Sequence, residues 1–590
     1  MRFRLFPGYL PVCLPVLAAL LLACQAETPA PQTASLESWP TLRDRFVHEY
    51  YTSHPSFAAF QGLHQYDGRL PDWSRAGIDR EITRLHGWQQ QLLALDVDAT
   101  HRATETMLPA EFERQYLLAK VAHDLFWLEE AQWPQRNPDF YFNWLLGDLD
   151  FDMYVSRPYA PLSVRLQAWL RYAESLPLAL QQIQANLHSS PLPPAVAEYG
   201  ADRFNGMADF FEHSIASIFA GAITPPISAQ FSQINAAAVL ALRSLAASLQ
   251  TTSSSAQTAN NTLSFALGTP LFQRMLLATE GIDLSVAELK TLGQAELQRH
   301  QQALHAACAR FAANASLAEC MQRNADNKPA EGAVSAARQQ LIELKQFLQQ
   351  HDLVTIPGQD VALVADAPAY AVGWGAYIQS PGPYDKELPS VYYIAPPDPA
   401  WTPQEQHDYL IGRDDLLFTS VHEVWPGHFL HGLHSNRAAS EPQRVFASYA
   451  FTEGWAHYSE EMIWEAGCGE GDASVQIGML SNALLRDARL LTAIGLHTEA
   501  MTRLQAERLF TEQAYQNVAL AREEALRAIY DPGVINYALG RILIRQLRSQ
   551  WCQQTPAPCA WKSFHDQLLA LGAPPLPLAR QILLRKTSKP

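Results

Sequence analysis

Apolar residues recur at helical spacing through most of the chain. Residues 78–95, 111–130, 162–187, 284–310 and 334–352 mix Leu and Ala with Gln, Glu and Arg, the pattern of amphipathic helices. Two stretches break that rhythm. Residues 251–262 are mostly Ser, Thr, Asn and Ala without an apolar period, which predicts an exposed loop, and 324–332 predicts another. The style changes near residue 353. Residues 361–365 and 390–394 are short β-favouring runs, separated by Gly373, Gly375 and Pro381-Gly382-Pro383. Helical patterning returns from Asp414. The expected fold is mainly α: two helical lobes, 39–352 and 353–590, with a small β-sheet beside a cleft.

Length and composition fit that picture. A chain of 590 residues is too long for one simple core, and 48% hydrophobic with 17% charged residues suits a large folded protein. The net charge of -16 argues against a nucleic-acid partner. The N-terminus reads as an export signal over residues 1–23: Arg2 and Arg4 precede an apolar run, 14–22, too short to span a membrane permanently. Leu21-Leu22-Ala23-Cys24 resembles a bacterial lipobox, in which Cys24 is lipidated and becomes the mature N-terminus; an ordinary signal peptide cleaved nearby is the alternative. Residues 24–38 then form a tether, and Gln25 resembles sorting to the periplasmic face of an outer membrane. Cys308 with Cys320, and Cys552 with Cys559, are near enough in sequence to close local disulfides, leaving Cys468 over.

The chemistry concentrates in His422-Glu423-Val424-Trp425-Pro426-Gly427-His428 and in Glu453-Gly454-Trp455-Ala456. Zinc hydrolases use imidazoles and a carboxylate as ligands, with a base near the attacking water. The two histidines stand six apart. At about 100° per residue a regular helix would hold them about 120° apart, too far to share a metal. Pro426 and Gly427 permit a bulge or break that brings His428 back towards His422. Glu453, 25 residues beyond His428, could arrive on a second antiparallel helix as third ligand. Glu423 is then the candidate base. Buried or capping histidines with surface glutamates are the plain alternative.

At these residues the chain resembles the domain-of-unknown-function 885 family of bacterial proteins, whose hallmark is His-Glu-x-x-Pro-Gly-His followed by Glu-Gly-Trp-Ala. The likeness extends to Gly62-Leu63-His64-Gln65-Tyr66-Asp67, Arg489, Gly495-Leu496-His497, Pro532-Gly533, Tyr537 and Gly540. That family looks like a relative of the gluzincin metallopeptidases, so the resemblance implies a helical zincin-like fold. It also implies zinc on His422, His428 and Glu453, with Glu423 as general base. The chain departs from the family's usual pattern at Phe429-Leu430-His431, at Val534-Ile535 and at Ala538. Those departures bear on substrate contacts.

Further residues surround this set. His431, His434, His457 and Glu460 are reserve ligands, or else ligand-orienting or surface groups. Tyr537 and His497 are candidate donors to an oxyanion. Arg489 and Arg541 are candidates to bind a substrate carboxylate, or else helix-surface arginines. Gly373-Trp374-Gly375-Ala376-Tyr377 is either a substrate-binding edge strand, with Tyr377 at its end, or a turn. The functional expectation is an exported, lipid-anchored Zn2+-dependent peptidase of small peptides. Its rivals are a metal-dependent amidohydrolase on other amides or cell-wall fragments, and a catalytically silent binding lipoprotein.

Overall fold

The computed structural model describes residues 38–584, apart from 96–108, 143–148, 190, 259–263, 369–370, 372–374, 398 and 556–557. The expected signal peptide, Cys24 and the tether up to residue 37 lie outside the described residues, as do Gly373 and Trp374.

Of three long helices towards the N-terminus, α1 (Leu162–Leu187), α2 (Pro194–His213) and α3 (Pro225–Thr258), the last packs on both of the others. In α1 the buried Leu166, Trp169, Leu170, Ala173, Leu176, Leu180, Ile183 and Leu187 recur three or four apart, the stripe that the sequence pattern predicts. The expected loop at 251–262 is corrected: α3 continues through Thr258. Extending a helix that already exists costs little per residue, so a Ser/Thr/Ala tract can follow the preceding turns even without an apolar period. The next long helix, α4 (Val286–Phe311), opens with a capping box in which Ser285 and Glu288 satisfy each other's backbone donors.

Three strands follow: β1 (Ala362–Asp366), β2 (Ala376–Gln379) and β3 (Ser390–Ile394). Their order is β1-β3-β2, with β1 parallel and β2 antiparallel to β3, so β2 is an edge. The segment left between strand and turn by the sequence is therefore a strand from Ala376 onward. The principal helices of the C-terminal half are α5 (Arg413–Glu423), α6 (His428–Ser435), α7 (Tyr449–Glu465), α8 (Ala473–Thr498), α9 (Val518–Tyr530) and α10 (Asn536–Gln554).

One continuous cluster of buried side chains runs through both expected lobes. Helix α4 lies along α8, across the expected boundary at 352/353. The helices α7 and α10 approach most closely where glycines meet. A Cβ on Gly454 would stand 2.5 Å from the Gly540 Cα, and one on Gly540 would stand 2.0 Å from the Ala450 carbonyl oxygen. Cys308–Cys320 and Cys552–Cys559 are disulfides, and Cys468 is free. Among the described residues no helix is long and apolar enough to cross a membrane.

Candidate metal centre

The helix carrying His422 does not continue to His428. The Val424 and Trp425 amides both turn back to the Ser420 carbonyl, at 3.0 and 3.3 Å. The Gly427 amide then donates to Val421, six residues back, at 2.9 Å. A new helix, α6, begins at His428. Gly427 is required for this return, because a Cβ there would lie 1.8 Å from the His422 carbonyl oxygen. The Trp455 indole in α7 secures the break by donating to the Pro426 carbonyl at 2.8 Å. The two imidazoles end with centroids 4.8 Å apart and planes nearly perpendicular.

Helix α7 supplies the carboxylate. Glu453 Oε2 stands 3.3 Å from His422 Nε2 and 3.4 Å from His428 Nε2. That oxygen is buried yet makes no hydrogen bond of good geometry. His422, Glu423 and Glu453 are all buried, at 4%, 7% and 8% exposure. Burial opposes ionisation of Glu453, but the neighbouring His428 and His422 outweigh it and hold the carboxyl well below its usual range. Burial raises Glu423 above the ordinary glutamate value against the pull of the same two histidines, as suits a proton acceptor. The Ile378 amide on the outer edge of β2 donates to Glu423 Oε2 at 2.9 Å and fixes it.

A second layer orients the first. His422 Nδ1 stands 2.7 Å from Glu460 Oε1, one helical stretch beyond Glu453 on α7. A carboxylate on the far nitrogen sets the tautomer that leaves Nε2 free to ligate. The reading of Glu460 as a solvated surface residue is corrected: it is 1% exposed, because α7 is buried on nearly all sides. His457 Nδ1 stands 3.5 Å from the same Glu460 oxygen, and neither of its nitrogens is hydrogen-bonded. Burial lowers its pKa to about 4, so it is neutral.

The remaining candidates divide. The Tyr537 ring stacks over His422, with centroids 6.3 Å apart and planes within 14°. Its hydroxyl accepts from Arg527 Nη2 at 3.0 Å. Arg489 lies over the same ring but is engaged by Glu524 through two hydrogen bonds of 2.7 and 2.6 Å. That pairing corrects its assignment as a substrate-carboxylate ligand. Arg541 is corrected too: it is fully buried and held by Glu461, Glu296 and Asp487. His497 is likewise not an oxyanion donor. Nε2 meets the Ala528 carbonyl at 2.9 Å and Nδ1 accepts from the Leu267 amide, so both nitrogens serve the backbone. His431 and His434 point to the Gly572 and Thr355 carbonyls instead of the cluster. Tyr377 lies on β2 with its ring 5.4 Å from Tyr393, next to the residue that holds Glu423. The sequence reading missed Arg527 and Ile378. For Arg527 the signal was its place four residues before Asp531 and five before Pro532-Gly533; for Ile378 there was none, since the bond uses the backbone.

These elements define a class: a largely helical protein with a small sheet, built around a buried His-His-Glu cluster and an adjacent glutamate. Residues 55–583 match the family described as "Bacterial protein of unknown function (DUF885)". The chain belongs to that family. Two solved structures share the fold. A "putative lipoprotein of unknown function" from Shewanella oneidensis aligns with a TM-score of 0.74 at 21% identity, over 93% of this chain and 100% of that one. A "putative lipoprotein" from Colwellia psychrerythraea aligns with a TM-score of 0.78 at 18% identity, over 92% and 98%. No curated protein matches.

Proposed function

We propose that the protein is a zinc-dependent peptidase of small peptides, exported and anchored through lipidated Cys24. One observation carries the reading. His422 Nε2 and His428 Nε2 lie 3.3 and 3.4 Å from Glu453 Oε2, an oxygen otherwise without a hydrogen bond. Zinc bonds of about 2.0–2.1 Å at tetrahedral angles separate ligand atoms by about 3.3–3.4 Å. Two imidazoles and one carboxylate are the donor set of a catalytic site that keeps a position open. The bound ion would supply a Lewis acid that polarises the scissile carbonyl and acidifies water.

The chain's own residues do the rest. Glu423, raised by burial and held by Ile378, takes the proton of the attacking water and passes it to the leaving amine. Tyr537 stands beside His422 to donate to the oxyanion that develops on the attacked carbonyl. Gly375 bonds to Ala395 across the sheet, so by alternation Ala376 and Ile378 turn their backbone groups outward. That edge is suited to an extended peptide. The depth of the cluster favours small substrates over folded proteins. The anchor rests on the Leu21-Leu22-Ala23-Cys24 pattern and agrees with how the two solved relatives are described.

The test is metal analysis and peptide profiling of the purified protein and of Glu423→Gln. The expected result is about one zinc in both, from the three-ligand logic, with turnover in the variant reduced by about 10²–10⁴. Absence of zinc from both proteins would sink the assignment of the centre. Cleavage of non-peptide amides alone would redirect the reading to an amidohydrolase.

A further inference from the structure

We infer that Arg527 is a positioning residue of this site, which sets the direction of the Tyr537 hydroxyl proton and so makes Tyr537 the oxyanion donor. The inference rests on the proposed function for its chemistry, but its geometry stands alone. Arg527 Nη2 donates to Tyr537 Oη at 3.0 Å and to Tyr449 Oη at 3.2 Å. A guanidinium has donors and no acceptor, so neither tyrosine can return its proton to Arg527. Tyr449 sends its proton to Asp531 Oδ2, at 3.0 Å. Tyr537 donates to no acceptor among the described residues. Its proton must therefore point away from Arg527, and the ring lies against His422.

The arrangement is directional from end to end. Asp531 accepts from Tyr449, and Tyr449 and Tyr537 both accept from the one nitrogen of Arg527. Each Arg527 bond uses an acceptor on its tyrosine, the Asp531 bond spends the Tyr449 proton, and of the two tyrosines only Tyr537 keeps its Oη–H unspent among the described residues. A charged donor behind a hydroxyl also strengthens that hydroxyl as a donor in front, because hydrogen bonds in series polarise one another. Arg527 keeps its place through its own helix: Nε lies 3.8 Å from Asp531 Oδ2 one turn on, and the guanidinium carbon stands 5.4 Å from the Tyr537 ring centroid. Arg489, the other cation over that ring, is closed by Glu524 and donates nothing to the hydroxyl.

The experiment compares Arg527→Gln, Arg527→Lys, Tyr537→Phe and the double variant Arg527→Gln/Tyr537→Phe on the zinc-loaded protein. Arg527→Gln should lower kcat by about 10–100-fold with KM little moved. Lysine keeps the charge and a donor and should restore part of the loss. In the Tyr537→Phe background the Arg527 change should add nothing. A second readout needs no turnover. The ¹³Cζ resonance of Tyr537, assigned by its disappearance in Tyr537→Phe, should shift in Arg527→Gln at neutral pH and return towards the parent value in Arg527→Lys. An unshifted resonance, or additive losses in the double variant, would overturn the inference. A rise in KM at constant kcat that vanishes on C-terminally amidated peptides would also overturn it, and would make Arg527 a carboxylate anchor. Should the parent protein cleave no peptide, the peptidase reading fails while the resonance still decides the role of Arg527.

Discussion

Two buried clusters of charge stand back to back on α7, one entered through Glu460 and the other through Glu461. Behind α7, Arg541, Arg545 and Arg299 face Glu296, Glu461 and Asp487. Each oxygen of those three carboxylates meets a guanidinium or, for Asp487 Oδ2, the His300 imidazole. In front of α7, Glu453 Oε2 sits between two imidazoles without a hydrogen bond, and neither nitrogen of His457 is hydrogen-bonded. The first cluster is closed: its charges cancel among themselves and tie α4, α7, α8 and α10 together. The second is open, because its residues converge on a point and leave their donor electrons unspent. Burial alone does not separate the two clusters; the difference is whether the buried polar atoms are satisfied.

The difference can be broken at the closed end first. Arg541→Ala should cost about 3–5 kcal/mol, because removing one partner strands buried carboxylates. Urea unfolding measures it, and a loss below about 1 kcal/mol would mean that water already shares the cluster. The open end should respond to metal. Zinc at about 100 times its dissociation constant should stabilise the metal-free protein by about 2.7 kcal/mol. His428→Ala should abolish that gain in a thermal melt, and an equal gain in the variant would place the ion elsewhere.

A third ionic junction lies between these extremes and should give the smallest effect. His64 bridges Asp67 at 3.1 Å and Asp385 at 2.9 Å, joining the N-terminal segment to the turn before β3. Burial works against its protonation, but hydrogen bonds to Asp385 and Asp67 prevail and raise its pKa from 6.5 to about 9. A raised value stabilises the fold fully below pH 6.5, and the contribution is lost as pH climbs through about 9. His64→Gln should therefore cost about 1–2 kcal/mol near pH 6 after solvent screening, and almost nothing near pH 10. A gap that stays constant with pH would show that the pairing is neutral.

The sequence made the local features readable. The apolar period of α1 maps onto its buried stripe, the two close cysteine pairs are bonded, and Pro426-Gly427 marks where the chain breaks. Glu453 and Glu460 share a helix face because they stand seven apart, which is visible in the letters alone. What stayed hidden depends on long-range pairing. Nothing near Arg541 announces Glu296, 245 residues earlier, and nothing near Arg489 announces Glu524 on another helix. Of the three arginines on α8, α9 and α10, Arg489 and Arg541 are taken up by carboxylates, whereas Arg527 donates to Tyr449 and Tyr537.

The glycine contact between α7 and α10 has a mechanical consequence. Backbone touches backbone at Gly454 and Gly540, one residue from Glu453 and three from Tyr537. At that point the two helices leave no room for a side chain between them, and further along Glu461 of α7 ties to Arg541 of α10 at 2.7 Å. Parting Glu453 from Tyr537 would therefore require breaking that backbone contact. Glu423 lies on a different helix, α5, and is fixed to the sheet by the Ile378 amide, so its spacing from Glu453 and Tyr537 is set independently of the glycine contact.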